Sequence, residues 1–242
     1  MQNKWYWIFR NIIFGPFLRV YNRPEIVGVD NIPSTGPAII ASNHQSGMDS
    51  FFLPLLCPRQ ITFLAKAEYF NGTTPVGRLQ KWFFTNVGQR PVNRTSASAG
   101  QDALNTAVEV LNDGDLFGIY PEGTRSPDGR LYKGKTGVAR IALASGAQVI
   151  PVAMIGTRDV NPIGTWFPRP GKVRVKVGDP IYPIEFVNNR GLERDSYEAI
   201  RALTDHIMRQ LQQLSGQEYA DVYAAEVKKA LAEGGDSSPH NP

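Results

Sequence analysis

From residue 25 onward, short runs rich in Val, Ile, Leu and Phe alternate with longer segments whose apolar residues return every three or four positions. Few architectures accept that pattern. The runs at 25–29, 38–42, 61–65, 116–120, 149–155 and 172–177 read as strands. Segments 50–56, 76–84, 97–112 and 136–144 lie between them and read as helices. Alternation of this kind predicts the α/β class, here a mixed β-sheet covered by helices. Farther along, Tyr197, Ile200, Leu203, Ile207, Leu211 and Leu214 share one face of a helix predicted over 195–214. A last helix is predicted over 218–231. With 242 residues, no internal repeat and no linker, the chain reads as one domain over 24–232, followed by a disordered tail at 233–242.

Residues 1–23 are different. They hold Lys4, Arg10, Arg19 and Arg23 with no acid, which equals the whole net charge of +4, so the remaining residues balance to zero. A chain that binds nucleic acid generally spreads its excess of cations over the folded domain, so no nucleic-acid partner is expected. Seven of the 25 aromatic residues also fall between positions 5 and 21, in WYWIFRNIIFGPFLRVY. Arg10, Asn11 and Pro16 interrupt the apolar run, so it is too short to span hydrocarbon. No small-residue cleavage site follows it, as a secretory signal requires. Trp and Tyr favour the bilayer interface, and Arg can snorkel to anionic headgroups. The segment is therefore expected to form an amphipathic interfacial helix on an anionic membrane surface, or else a helix covering the domain's own core.

The rest of the composition narrows the chemistry. One cysteine excludes a disulfide framework or a multi-thiolate metal site, and three histidines argue against a polyhistidine centre. Cys57 sits in the apolar run FFLPLLCPR and reads as packing. Ser46 lacks the G-x-S-x-G surroundings of a hydrolase nucleophile. Gly129–Thr136 (GRLYKGKT) fits the phosphate-loop spelling, but no strand runs into its first glycine, as a nucleotide-binding loop requires. Lys133 and Lys135 remain candidates to line an anionic site.

Two constellations follow strands directly. Asn43-His44-Gln45-Ser46-Gly47-Met48-Asp49 comes after AIIAS. A carboxylate can orient a histidine acting as general base, yet residues five apart on one helix point about 140° away from each other. The pair can meet only if His44 lies in a turn and Asp49 in the next helix, with Gly47 easing the bend. Otherwise it is a loop histidine beside a carboxylate at a helix N-terminus. Tyr120-Pro121-Glu122-Gly123-Thr124-Arg125-Ser126 comes after LFGIY. There Arg125 and loop amides can bind phosphate, or the segment is a polar turn. Two weaker patterns accompany them: Gly88–Arg94 (GQRPVNR), a basic turn or short extended run, and the apolar Val149-Ile150-Pro151-Val152-Ala153, expected to be a wall.

These blocks, in this order, resemble the glycerolipid acyltransferase family, and most of all its bacterial members that act on lysophosphatidic acid. N-H-x4-D is matched by Asn43, His44 and Asp49, and F/Y-P-E-G-T-R-S by Tyr120–Ser126. A G-x5-R run is matched by Gly88 and Arg94, with Asn93 where an acid is usual, and the V/I-P-V/I strand by Ile150-Pro151-Val152. The resemblance covers roughly residues 25–180. It implies transfer of a fatty acyl group from acyl-CoA or acyl-carrier protein to the sn-2 hydroxyl of lysophosphatidic acid, giving phosphatidic acid. It also implies His44 as general base with Asp49 as its partner. Glu122, Gly123, Thr124 and Arg125 would bind the acceptor's phosphoglycerol end, helped by Arg94 and by Lys66 after the strand ITFLA. No cofactor and no metal is expected, and no acyl-enzyme. The expected location is peripheral, on the cytoplasmic face of the cell membrane. A relative acting on glycerol 3-phosphate or another lysolipid, and a catalytically silent membrane-binding homologue, are the alternatives.

Overall fold

The structure, a computed structural model, describes residues 3–92, 98–165 and 167–233. Its elements in chain order begin with α1 (Lys4–Ile8), a π-helical turn (Phe9–Ile13), α2 (Phe14–Tyr21), β1 (Glu25–Val27), β2 (Ala38–Ser42), α3 (Asp49–Leu56) and β3 (Ile61–Lys66). There follow α4 (Pro75–Asn86), β4 (Arg90–Val92), α5 (Ala99–Asn112), β5 (Leu116–Ile119), β6 (Leu131–Tyr132), α6 (Gly137–Ser145) and β7 (Gln148–Ile155). The last are α7 (Thr157–Val160), β8 (Arg174–Val177), α8 (Pro183–Asn188), α9 (Tyr197–Ser215), β9 (Tyr219–Ala220) and α10 (Ala224–Ala232).

Seven strands form one sheet in the order β1-β8-β7-β2-β5-β3-β4. From β7 to β4 every pair is parallel; β8 runs antiparallel to β7, and β1 follows β8. The centre is β2, AIIAS, with all five residues buried. A strand apolar on both faces belongs in the middle of a helix-covered parallel sheet. Ile39 and Ala41 face a layer formed by α5, α6 and α9, where Leu111, Ile141 and Leu203 join one core. Ala38 and Ile40 face the other way, toward Phe52 and Leu53 of α3 and Leu18 of α2. Each fully buried side chain of this size contributes about 1.5–3 kcal/mol of transfer free energy.

Pro151 lies inside β7, where a strand normally needs its N–H. The antiparallel partner is interrupted at this point. The β8 pairing ends at Val177, and the partner side resumes as a bridge between Val149 and Ile181. Pro151 keeps only an acceptor role there, its carbonyl taking the Gly178 N–H at 2.8 Å. The V/I-P-V/I strand is thus a wall that accommodates its proline at a gap in the ladder.

The predicted strands and helices are all present, with small boundary differences. One difference has a topological cause. The last helix starts at Ala224 rather than near 218, because Tyr219–Ala220 pair in parallel with Leu131–Tyr132 as a separate two-stranded sheet. Residue 97, the predicted start of α5, and 234–242, almost all of the predicted tail, lie outside the described residues.

The N-terminal segment is helical, with one side packed on the domain and the other exposed. Leu18 packs into the core against α3, and Tyr6 and Phe9 pack with Val87, next to Phe83 of α4. Trp5, Trp7, Ile12, Ile13, Phe17 and Val20 remain exposed. Arg10 turns inward instead of toward headgroups: its Nε donates to the Leu55 carbonyl at 3.0 Å, at the C-terminal end of α3. That leaves Lys4, Arg19 and Arg23 as the exposed cations of the segment. The π turn between α1 and α2 has a local cause. Pro16 cannot donate a helical hydrogen bond, and its ring crowds the preceding turn. The wide turn brings the Arg10 carbonyl so close to Gly15 that a Cβ there would lie 1.8 Å from its oxygen. Only glycine fits.

Candidate active site

Because β2, β3, β5 and β7 run parallel, their C-terminal ends share one rim, where α/β folds gather ligands. His44 follows β2, Lys66 ends β3, and Tyr120–Ser126 follow β5. The chain leaves β2 through Asn43, whose side-chain amide donates to the Met154 carbonyl (3.0 Å) and whose carbonyl accepts the Met154 N–H (2.7 Å). This reciprocal pair clamps the start of the loop to β7.

His44 lies in the loop and Asp49 is the first residue of α3, the one arrangement that lets positions five apart meet. Nδ1 of His44 is 2.9 Å from Oδ2 of Asp49. The same oxygen accepts the N–H groups of Gln45 (2.7 Å) and Ser46 (2.8 Å), so the loop wraps around the carboxylate. Asp49 is fully buried, and its second oxygen has no hydrogen-bond partner among the described residues. A carboxylate at the first turn of a helix is favoured by the helix dipole. Gly47 does not supply the bend by a left-handed conformation, because its φ is not positive. A Cβ at Gly47 would sit 3.8 Å from Arg125 Nη1, so the glycine lies beneath the guanidinium.

Tyr120 forms the floor. Its ring stacks on the His44 imidazole with centroids 3.9 Å apart and planes 11° apart. Phe63 stacks behind it, and its hydroxyl is 3.0 Å from Ser50 Oγ. Burial raises the Tyr120 phenol far above its ordinary value, so it remains a neutral group against the imidazole. The motif spelling includes this residue, but nothing in the spelling says that it stacks on the histidine.

Glu122 is buried, and both its oxygens accept backbone N–H groups, from His44 (3.0 Å) and Tyr132 (3.0 Å). It ties the histidine loop to β6, and burial pushes its carboxyl up to about 7. The two loops are joined again by the Ser126 N–H, which donates to the His44 carbonyl at 2.7 Å. Gly123 has φ 74°, and its N–H closes a turn onto the Tyr120 carbonyl at 2.9 Å, so this amide is not free to hold an oxyanion. The side chain of Lys135 packs against Gly123, with Nζ 3.4 Å from where a Cβ would be. Thr124 Oγ1 accepts from Lys228 Nζ at 2.6 Å. Arg125 is half-buried, over Gly47.

Lys66 is exposed at the same rim, three residues beyond Phe63. Arg94 lies outside the described residues; the run leading to it forms the edge strand β4. Lys133 does not join the site, since it pairs with Asp221 at 3.0 Å. The Ser46 hydroxyl is buried and donates to Asn161, and burial pushes the Cys57 thiol up to about 11. Neither is an activated nucleophile. Two bracing residues carried no signal in the sequence. Arg158 donates to the carbonyls of Ser126 (3.1 Å) and Pro127 (2.7 Å). Lys228 comes from α10, 104 residues beyond the threonine it touches.

The fold and this rim define a helix-covered, mostly parallel sheet with a His–Asp pair beside a basic loop. A family model described as Acyltransferase matches residues 23–155, and the chain belongs to that family. It is 32% identical over 177 residues to a chloroplastic 1-acyl-sn-glycerol-3-phosphate acyltransferase of Arabidopsis thaliana, covering 72% of this chain and 47% of that one. The chain thus spans about half the length of that relative. It is 27% identical over 201 residues to the 1-acyl-sn-glycerol-3-phosphate acyltransferase of Bacillus subtilis, covering 81% of this chain and 87% of that one. The crystal structure of the 1-acyl-sn-glycerophosphate acyltransferase PlsC from Thermotoga maritima superposes with a TM-score of 0.64 at 28% identity, covering 88% of this chain and 80% of that one.

Proposed function

We propose that the protein transfers a fatty acyl group from acyl-CoA or acyl-carrier protein to the sn-2 hydroxyl of lysophosphatidic acid, releasing phosphatidic acid and a free thiol. One observation carries the reading. The His44–Asp49 pair and the Arg125 loop share a rim and are joined by the Ser126–His44 and Glu122–His44 hydrogen bonds.

The chemistry follows from that geometry. With Nδ1–H directed at Asp49, Nε2 is the basic nitrogen of His44. It takes the proton of the acceptor hydroxyl as the oxygen attacks the thioester carbonyl. A carbon–oxygen bond forms, the carbon–sulfur bond breaks, and the proton passes to the departing thiolate. The buried carboxylate stabilises the imidazolium in between. Transfer is direct, with no acyl-enzyme. Arg125 grips the acceptor's phosphate, with Gly123 and Thr124 shaping the loop, helped by Lys66 at the end of β3 and by Arg94. Glu122 acts through the two backbone amides it holds.

The protein works on a membrane surface as a peripheral protein of the cytoplasmic face, lying on residues 1–23. No helix among the described residues is long and apolar enough to cross a bilayer. The exposed Trp5 and Trp7, with Lys4 and Arg19, support an interfacial seat.

A transfer assay with purified protein compares lysophosphatidic acid with glycerol 3-phosphate as acceptor, using both donor types. The expected product is phosphatidic acid. Acylation of glycerol 3-phosphate alone would assign a different acceptor. Acid quench with radiolabelled donor alone should leave no stoichiometric label on the protein; such label would refute direct transfer.

A further inference from the structure

Three cations converge on three consecutive residues of the basic loop. Lys135 packs on Gly123, Lys228 bonds the hydroxyl of Thr124, and Arg125 follows directly. None of the three makes an ion pair with an acid among the described residues. The nearest carboxylate in the loop, Glu122, is buried and holds two backbone amides. Glu226 lines the outer hollow beside Lys135 without pairing with it. Other cations of the chain do have acids beside them: Lys133 has Asp221, Arg201 has Asp205, and Lys172 and Arg174 share Glu25. Three cations around the single buried carboxylate Glu122 leave an excess of positive charge that an anion from outside would offset.

We propose that Lys228, carried by α10, is a binding residue for the acceptor's phosphate monoester, completing with Arg125 and Lys135 a three-cation cradle. The assignment rests on the acyltransferase reading above and extends it beyond the family's motif blocks. Arg125 offers a planar fork, whereas Lys135 and Lys228 add compact charges from two other directions, a set suited to a dianionic, tetrahedral group. Burial and the nearby Arg125 lower the Lys228 pKa, and the buried Glu122 carboxylate only partly offsets them. Because Lys228 also holds Thr124, phosphate binding and the docking of α10 are coupled: the helix closes the C-terminal part of the chain onto the loop that carries Arg125.

Lys228→Met, Lys228→Arg and the control Lys229→Met are compared in detergent micelles free of other anionic lipid. Lys229 is exposed and pairs with Glu233, so its substitution removes the same charge from the same helix. Lys228→Met should raise KM for lysophosphatidic acid at least tenfold, the scale of one hydrogen bond to a charged group, with KM for the acyl donor unchanged. Lys228→Arg should restore most of the loss. A rise in the donor's KM alone, or an effect no larger than that of Lys229→Met, overturns the assignment. Inorganic phosphate provides a separate arm. It should raise the melting temperature of the wild type and raise that of Lys228→Met less; equal shifts would contradict the cradle. Because this arm needs no acceptor, a phosphate effect without transfer to lysophosphatidic acid would keep the cradle and overturn only the acceptor.

Discussion

At the scale of single residues, one oxygen of Asp49 does most of the organising. It receives two loop amides and faces the imidazole, so the His44 orientation is fixed by the fold of its own loop. Asp49→Asn tests that. An amide side chain can keep one backbone acceptor, but it presents N–H toward Nδ1 and so places the histidine's proton on Nε2. We expect kcat to fall about 10²–10⁴-fold with the protein still folded, measured by acyl transfer alongside circular dichroism. An unchanged kcat would remove Asp49 from the mechanism. Glu122 gives a prediction about stability. Burial raises its folded pKa above the ordinary carboxylate value of 4.5 to about 7, so between those values the folded state binds more protons than the unfolded state. The contribution to stability is therefore present at low pH and is lost as pH rises through about 7. The stability of the wild type relative to Glu122→Gln should decline from pH 5 to pH 8 in urea unfolding; a difference that grows over that range would refute the sign.

At the scale of elements, the alternation of strands and helices was legible because each uses a distinct period: β2 is apolar at its first four positions and α9 at every third or fourth. The His44–Asp49 pair was legible too, since a loop followed by a helix start is the only local solution for that spacing. What could not be read were contacts made by topology. The strands β4, β6 and β9 have two or three residues, too few to show a pattern, and Arg90-Pro91-Val92 has little apolar character. The pairing of β9 with β6 carries α10 back to the loop, and without it Lys228 is one lysine among many in a surface helix. The π turn was equally hidden, although Gly15-Pro16 marks its place. Gly15→Ala should force the Arg10 carbonyl away and loosen the Arg10–Leu55 bond. We expect a loss of about 1–3 kcal/mol, the usual range for overpacking, read from thermal or urea unfolding. A variant as stable as the wild type would mean the turn relaxes without strain.

At the scale of the whole molecule, the exposed apolar residues of the N-terminal helix are continued by other elements. Trp5 meets Trp82 of α4 edge to face at 4.9 Å, and Phe17 lies 5.8 Å from Phe167. Val76 and Leu79 of α4 are also exposed. This is a broad apolar face bordered by Lys4, Arg19 and Arg23, as expected of a surface that meets lipid. Removing residues 1–23 would also uncover the core, because Leu18 and Asn22 are buried. Substitutions on the exposed side are cleaner. Ile12→Ser with Ile13→Ser should leave the melting temperature nearly unchanged and reduce flotation with anionic vesicles severalfold; undiminished flotation would move the contact elsewhere. The account as a whole is tested most directly by measuring phosphatidic acid formed from lysophosphatidic acid by the wild type and by His44→Ala at equal folded concentration. It predicts steady formation by the wild type and a rate at least about a hundredfold lower for the variant. Equal rates, or no phosphatidic acid from either donor, would contradict it.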